Sequence, residues 1–269
     1  MKVAAIQMAS GPQVAANLNE AARHIGKAAA AGSRLVVLPE NFAIMAKQDA
    51  DRLAVAEHDG HGPIQEFLAT QARKHAVWLV GGTIPIKAND PKRVRAACLV
   101  FNDRGERIAR YDKIHLFDVR LDNGELYNES AAIEPGDTPV AVDTPFGKLG
   151  LAVCYDLRFP ELFRQLLDQG AELFAVPSAF TVRTGRAHWE VLVRARAVEN
   201  LAYVIAAAQG GFHLNGRETY GDSMIVNPWG EVLDRLARGS GVVLADLDRR
   251  YFEHTRTSFP SIQHRRLRA

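Results

Sequence analysis

The sequence has few cysteines, little net charge and no long apolar run, and each shortage excludes a class of protein. Its 2 cysteines in 269 residues, Cys98 and Cys154, are too few for a disulfide framework. Lys and Arg number 33 against 31 Asp and Glu, and this balance argues against a nucleic-acid or membrane partner. No apolar run approaches the roughly 20 residues that a membrane-spanning helix needs.

The beginning of the chain also lacks the pattern of a signal peptide. Met1 to Met8 is too short and too quickly polar for the apolar region of such a peptide. Together with the low cysteine count, this predicts a cytoplasmic protein. Metal-binding patterns such as H-x-x-x-H and C-x-x-C are missing, and so are the glycine-rich loops that bind nucleotides. We therefore expect neither a metal nor a cofactor.

What the chain does contain is a series of short apolar strands separated by amphipathic helices. Apolar residues make up 47% of the chain, enough for a large core. The patterns predict the following elements: strands at 2–8, 35–38, 77–80, 173–176, 201–209, 223–226, 232–236 and 242–246, hairpins at 94–112 and 140–153, and helices at 13–31, 64–76, 160–169 and 187–200. We expect a single domain over 1–269, with two packed mixed sheets, helices outside, and 249–269 as a C-terminal helix and tail. The aperiodic stretch 114–139 is predicted as a long loop, and a loop of that length is usually either functional or disordered.

Cys154 ends an apolar strand and is followed by polar residues and then by Pro160, where a helix is predicted to begin. A cysteine inside an apolar strand is usually structural, and Cys98 is interpreted in that way. Cys154 differs because Arg158 and the helix start offer the positive charge that a thiolate requires. Spacing alone leaves both interpretations of Cys154 open, a nucleophile and a buried structural thiol.

Glu40, Lys113 and His115 are the other titratable residues at strand ends. Glu40 follows a buried strand and a proline, which suits either a surface turn or a partly desolvated general base. Lys113 follows the second arm of a hairpin, where a lysine is ordinarily solvated. His115 has the chemistry to activate a thiol as a Cys–His pair, and spacing does not exclude that pairing.

Three separated segments, in the same order, resemble the motifs of the nitrilase superfamily of carbon–nitrogen hydrolases. The segments are Leu38-Pro39-Glu40-Asn41-Phe42, Tyr111-Asp112-Lys113-Ile114-His115-Leu116-Phe117-Asp118 and Val153-Cys154-Tyr155-Asp156-Leu157-Arg158-Phe159-Pro160-Glu161. Glu129 matches a second glutamate of many members. The resemblance extends from the first strand to about Asp248.

This resemblance implies an α/β fold, a four-layer αββα sandwich, which pairs through helices into a homodimer or a higher homo-oligomer. It implies a cofactor-free amidase that forms a thioester. Cys154 would be the nucleophile, Glu40 the general base, and Lys113 with the backbone N–H of Tyr155 the oxyanion stabilisers. Glu129 would orient Lys113 or the substrate, and His115 would belong to the framework.

Within the superfamily, segments in 177–197 resemble the small amidases that act on 2-oxo-dicarboxylic amides. Segments in 206–224 resemble the deaminated glutathione amidase branch more than the ω-amidase branch. That branch cleaves glutathione whose glutamyl amine has become a ketone, which gives 2-oxoglutarate and cysteinylglycine. The substrate-binding candidates are Phe180, Arg183, Thr184 and His188, with Arg183 expected in a loop that reaches the pocket. One alternative is an ω-amidase acting on 2-oxoglutaramate or 2-oxosuccinamate. An alternative of another class is a non-catalytic member that binds a partner protein.

Overall fold

A computed structural model describes residues 1–121 and 124–267 of the chain. The strands are β1 Lys2–Gln7, β2 Leu35–Val37, β3 Trp78–Val80, β4 Ile84–Lys87, β5 Val94–Phe101, β6 Arg107–Asp112, β7 Asp118–Arg120, β8 Leu126–Asn128, β9 Ala141–Thr144, β10 Gly147–Leu151, β11 Leu173–Ala175, β12 Tyr203–Ala206, β13 Gly210–Phe212, β14 Glu218–Tyr220, β15 Ser223–Val226, β16 Val232–Leu236 and β17 Gly241–Asp246. The helices are α1 Val14–Ala30, α2 Asp49–Ala54, α3 Pro63–His75, α4 Pro160–Asp168, α5 Val182–Asn200 and α6 Arg249–Ser258. Short 3-10 turns lie at Glu129–Ala131, Cys154–Arg158 and Ser261–His264.

Two mixed sheets form the centre of the molecule. The first has the order β17-β1-β2-β3-β5-β4, with β6 also paired to β5, and the second has the order β16-β15-β12-β11-β10-β9. Each contains three neighbouring parallel strands, β1-β2-β3 in the first sheet and β10-β11-β12 in the second. Helices α1 and α3 pack on the first sheet, and α4 and α5 pack on the second. The expected mixed sheets with helices outside are therefore present.

The apolar runs of the parallel strands follow from burial on both faces. In β1, Val3 and Ala5 belong to the large core that the two sheets share, whereas Ala4 and Ile6 pack with the side chains of α1 and α3. Successive strand residues point to opposite faces, so a strand covered on both sides needs apolar residues at every position. This explains why these strands read as continuous apolar segments rather than as alternating ones.

The topology brings three titratable residues, Glu40, Lys113 and Cys154, to one edge of the sandwich. Glu40 lies just beyond β2 of the first sheet, and Cys154 lies just beyond β10 of the second. Lys113 directly follows β6. Carboxyl ends of parallel strands are where open α/β sheets place their binding sites.

Most predicted elements are confirmed, including the first hairpin at Val94–Phe101 and Arg107–Asp112. The predicted start of α5 at Ala187 is wrong because the helix begins at Val182, where the Thr181 hydroxyl accepts a hydrogen bond of 3.3 Å from the Thr184 N–H.

The predicted strand over 201–209 is also too long, since β12 covers only Tyr203–Ala206. The elements α2 and β4 and the β13–β14 hairpin were not predicted. The stretch 114–139 is not entirely loop, because it contains β7 and β8. Within the described ranges, no helix combines the length and the apolar character needed to cross a membrane.

Candidate active site

The backbone at Cys154 has an unusual conformation. Its φ of 50° lies in the left-handed region, which residues other than glycine rarely adopt. The Cys154 N–H donates a hydrogen bond of 2.8 Å to the carbonyl of Pro177, which follows the neighbouring strand β11. The turn therefore places the cysteine side chain at the strand end through contacts within the second sheet.

Asp156 fixes this turn from inside the protein, where its side chain is fully buried. Its Oδ2 accepts hydrogen bonds of 2.6 Å from the Tyr111 hydroxyl and 2.8 Å from the Val153 N–H. Its Oδ1 accepts two more from His115, one from the backbone N–H at 3.0 Å and one from Nδ1 at 2.7 Å. One carboxylate thus joins the cysteine turn to the segment that carries Lys113.

His115 has a framework position. Its ring stacks on Phe159 with centroids 3.7 Å apart and planes inclined by 5°, and its Nδ1 is bound to Asp156. Among the described residues, the hydrogen-bond partners of this ring do not include Cys154. The Cys–His pairing that spacing left open is therefore not formed, since the ring is oriented by Asp156 and Phe159.

Lys113 joins two carboxylates in the interior. Its Nζ lies 2.8 Å from Glu40 Oε1, 2.8 Å from Glu129 Oε1 and 2.9 Å from Glu129 Oε2, and its side chain is only 2% exposed. Burial alone would lower the pKa of Lys113, but the charges of Glu129 and Glu40 outweigh burial and raise that pKa well above its ordinary value. Lys113 is therefore a fixed positive charge at neutral pH.

Glu40 is held through its backbone as well as through its side chain. The side-chain amide of Gln209 donates a hydrogen bond of 3.0 Å to the Glu40 carbonyl, and it also donates one of 2.8 Å to the Ser10 hydroxyl. The next residue, Asn41, has a φ of 56° and donates its N–H to the Thr83 hydroxyl at 2.8 Å. Gln209 was not singled out from the sequence, where it ended a predicted strand.

The Cys154 thiol lies among these charges and is 8% exposed. Burial, followed by the negative charge of Glu40, raises the pKa of Cys154 well above its ordinary value. Lys113 and a hydrogen bond from the backbone N–H of Ala179 act in the opposite direction on this pKa. The thiol is therefore protonated near neutral pH, and the Glu40 side chain lies beside it.

These residues open onto a cavity of about 450 Å³. Of the predicted site residues, those lining the cavity are Glu40, Lys113, Glu129, Cys154, Tyr155, Phe180 and Thr184. Arg183 is an exposed residue of α5 rather than part of a pocket loop, and it is not among the lining residues. His188 is exposed too, and its Nδ1 lies 3.2 Å from Nη1 of Arg158, which does line the cavity.

Sequence reasoning missed several cavity residues. Arg52 and Arg217 line the cavity, and so do Phe117 and Tyr127. Arg158, which the sequence indicated as a positive charge near Cys154, lines it as well. A lone arginine in a polar segment is ordinarily solvated, so the sequence carried no signal for Arg52 or Arg217. Within residues 1–121 and 124–267, no cluster of three or more His, Cys, Asp or Glu side chains is arranged to hold a metal ion.

Comparison with known proteins gives consistent similarities over nearly the whole chain. A family model described as carbon–nitrogen hydrolase matches residues 2–257. A protein of Synechocystis sp. named deaminated glutathione amidase is 40% identical over 270 residues, which cover 97% of each chain. The crystal structure of Saccharomyces cerevisiae Nit3, described as a member of branch 10 of the nitrilase superfamily, has a TM-score of 0.89 at 33% identity and covers 99% of this chain and 97% of that one. The Caenorhabditis elegans NitFhit structure has a TM-score of 0.91 at 37% identity, covering 98% of this chain and 65% of that chain.

Proposed function

This chain belongs to the carbon–nitrogen hydrolase family and is an amide-hydrolysing enzyme, and on that premise we propose that Cys154 cleaves deaminated glutathione into 2-oxoglutarate and cysteinylglycine. The choice of substrate rests on the curated relatives of that name, at about 40% identity over nearly the full length. The choice of nucleophile rests on the contacts of the cavity. The observation that carries the mechanism is the buried Lys113, bound by Glu40 and Glu129 beside the Cys154 thiol.

In the first half of the reaction, Glu40 accepts the Cys154 proton and the thiolate attacks the amide carbonyl carbon. The S–C bond forms, and the carbonyl oxygen takes up the negative charge. The Lys113 ammonium and the Tyr155 N–H stabilise this oxyanion, and each such donor contributes about 3 kcal/mol in comparable sites. The C–N bond then breaks, Glu40 returns its proton to the leaving amine, and a thioester on Cys154 remains.

In the second half, Glu40 takes a proton from water, whose oxygen attacks the thioester carbonyl. The C–S bond breaks, 2-oxoglutarate leaves, and the proton returns to Cys154. The Ala179 N–H supports both halves because its hydrogen bond to the sulfur favours the thiolate over the thiol. Glu129 orients Lys113 by accepting two of its hydrogen bonds.

The test compares wild-type protein with Cys154→Ala and with Cys98→Ala as the matched control. Cysteinylglycine and 2-oxoglutarate are quantified by mass spectrometry after incubation with deaminated glutathione. We expect no product from Cys154→Ala, normal product from Cys98→Ala, and a 2-oxoglutaryl group on the Cys154 peptide after rapid acid quenching of the wild type. Unchanged turnover by Cys154→Ala would refute the proposed nucleophile.

An ω-amidase acting on 2-oxoglutaramate or 2-oxosuccinamate is the second candidate, since these amides share the 2-oxo acid portion with deaminated glutathione. Values of kcat/KM for the three substrates distinguish the candidates, and a preference for either small amide would replace the proposed substrate.

Assembly as a homodimer through α5 is a further part of the proposal. The side chains of Val191 and Val198, 68% and 46% exposed, are seven residues apart and thus lie on one helix face. Trp229 and Phe259, about half exposed, pack edge to face at 5.4 Å. Val198 packs against Gly230, which joins the α5 face to the Trp229 turn.

A further inference from the structure

Among the described residues, four cationic side chains line the cavity, and two of these have no carboxylate partner within residues 1–121 and 124–267. Lys113 is bound by Glu40 and Glu129, and Arg52 Nη1 lies 2.8 Å from Asp49. Arg158 and Arg217, in contrast, have no carboxylate within 4.0 Å in the described part of the chain. Guanidinium groups that line a cavity without a carboxylate partner are suited to binding carboxylates.

The two arginines lie at opposite ends of a row of aromatic rings. The Arg158 guanidinium lies 5.7 Å from the Tyr155 ring centroid, and the Arg217 guanidinium lies 5.7 Å from that of Tyr127. Phe117 joins the two tyrosines, with its centroid 5.0 Å from each. All five side chains line the cavity. The row is therefore an aromatic wall with a guanidinium group at each end.

Arg158 marks the end of the row at the nucleophile. It is the last residue of the 3-10 turn Cys154–Arg158 that begins with Cys154, and its guanidinium also lies 5.3 Å from the Phe180 ring centroid. A carboxylate bound by Arg158 would therefore lie at the end of the cavity that holds Cys154.

Arg217 marks the far end, on the connection between β13 and β14. That connection is anchored, because His213 Nδ1 lies 2.8 Å from the Ser10 carbonyl and the Asn215 amide donates to the Ala46 carbonyl at 2.8 Å. The Arg217 N–H itself donates to the Asn215 side chain at 3.0 Å. Arg217 is thus presented from a backbone that is fixed before substrate binds.

We propose that Arg217, on the wall formed by Tyr127 and Phe117, is the subsite for the carboxylate of the leaving amine. This inference rests on the proposed function, since deaminated glutathione has one carboxylate on its acyl part and another on its terminal glycine. In an extended chain these two groups are on the order of 12 Å apart. The path from Arg158 to Arg217 runs through four contacts of 5.0 to 5.7 Å, so it is longer than that separation. The small amides lack the second carboxylate, so Arg217 distinguishes the peptide substrate from them.

The test uses deaminated glutathione, the same compound with its glycine carboxylate converted to an amide, and 2-oxoglutaramate. For Arg217→Gln, we expect kcat/KM for deaminated glutathione to fall about 10- to 100-fold relative to that for 2-oxoglutaramate, mainly through KM. The glycine amide should show the same loss with the wild type and little further loss with the variant, because either change removes the same ion pair. Arg250→Gln, an exposed arginine of α6 outside the cavity, is the charge-matched control and should leave the substrate ratio unchanged.

The outcomes separate the subsite from the function on which it rests. Equal losses on all three substrates, or no loss on deaminated glutathione, would overturn the subsite while leaving the proposed function in place. A wild-type protein that does not hydrolyse deaminated glutathione would overturn the proposed function and the subsite with it. Melting temperatures of the variants show whether a loss on all substrates arises from misfolding. If it does, the ratio of kcat/KM for deaminated glutathione to that for 2-oxoglutaramate is measured on Arg217→Lys, which retains the positive charge.

Discussion

Asp156 and His115 are joined by two hydrogen bonds, through the backbone N–H and through Nδ1 of the histidine. These hydrogen bonds connect the Cys154–Arg158 turn, which follows β10 of the second sheet, to the segment after β6 that contains Lys113. Because Asp156 is fully buried and accepts four hydrogen bonds, it sets the geometry of the site without lining the cavity. We therefore assign it as a positioning residue.

Asp156→Asn should lower both stability and kcat. Both oxygens of Asp156 accept hydrogen bonds, whereas one of these positions becomes an NH2 group in the variant. That NH2 group would face hydrogen-bond donors, so at least one donor would be left unpaired in the interior. We expect a loss of about 2–4 kcal/mol in the free energy of unfolding and a larger effect on kcat than on KM. Denaturant titration and steady-state kinetics measure these effects, with the exposed Asp143→Asn as control. A variant with wild-type kcat would contradict the positioning role.

Glu129→Gln should shift the alkaline limb of the pH–rate profile to lower pH. Burial lowers the pKa of Lys113, and Glu129 provides the largest charge that raises it. Without that charge, Lys113 loses its proton at a lower pH, and the oxyanion loses its positive partner. We also expect kcat to fall about 10- to 100-fold at neutral pH. Profiles of kcat/KM from pH 6 to 10 provide the measurement, and an unmoved alkaline limb would rule out this role of Glu129.

Alkylation by iodoacetamide should modify Cys154 and not Cys98. Burial raises the pKa of both thiols, but Cys98 is fully buried within β5, whereas Cys154 lines the cavity. Because the thiolate is the reactive form, the rate at Cys154 should still rise above pH 9, where an ordinary thiol approaches its plateau. Peptide mapping at several pH values tests this, and labelling of Cys98 first would contradict its burial.

Stability should fall as the pH rises from 8 to 9.5. In the unfolded chain both cysteines ionise near their ordinary pKa of about 8.5, whereas the raised pKa of each in the native protein keeps its proton bound. The unfolded state then binds fewer protons than the native state, and each thiol contributes up to about 1.4 kcal/mol of lost stability per pH unit. Cys98→Ala should flatten this dependence. Val100→Ala, a buried neighbour in the same strand, should lower stability without changing the slope.

Val191→Asp should convert the proposed dimer into a monomer of 29.6 kDa. The substitution places a charge at the centre of the apolar α5 face, where a partner subunit would have to desolvate it. Light scattering after size-exclusion chromatography gives the mass, and Ile108→Asp, on an exposed position of β6, serves as control. A wild-type protein that is already monomeric would disprove the dimer.

The sequence was informative wherever a strand end determined the position of a side chain. Glu40 and Cys154 follow apolar strands, and parallel strands bring their carboxyl ends to one edge. Gln209 and Arg217 were not predictable in this way, because their roles depend on contacts with Glu40 and Tyr127 from distant parts of the chain. The sequence did not predict that α5 begins at Val182, because Gly185 is a poor helix former. The structure explains that glycine, since a Cβ there would lie 2.3 Å from the Tyr220 side chain.

The division of the site between the two sheets has a consequence for the folding chain. Glu40 and Lys113 come from the first sheet and Cys154 from the second, so a partly folded chain with only one sheet formed contains no base beside its thiol. Under the proposed mechanism, we expect nascent or partly denatured molecules to have no hydrolytic activity. The proposed site is complete only when both sheets have packed together, so turnover should report complete folding.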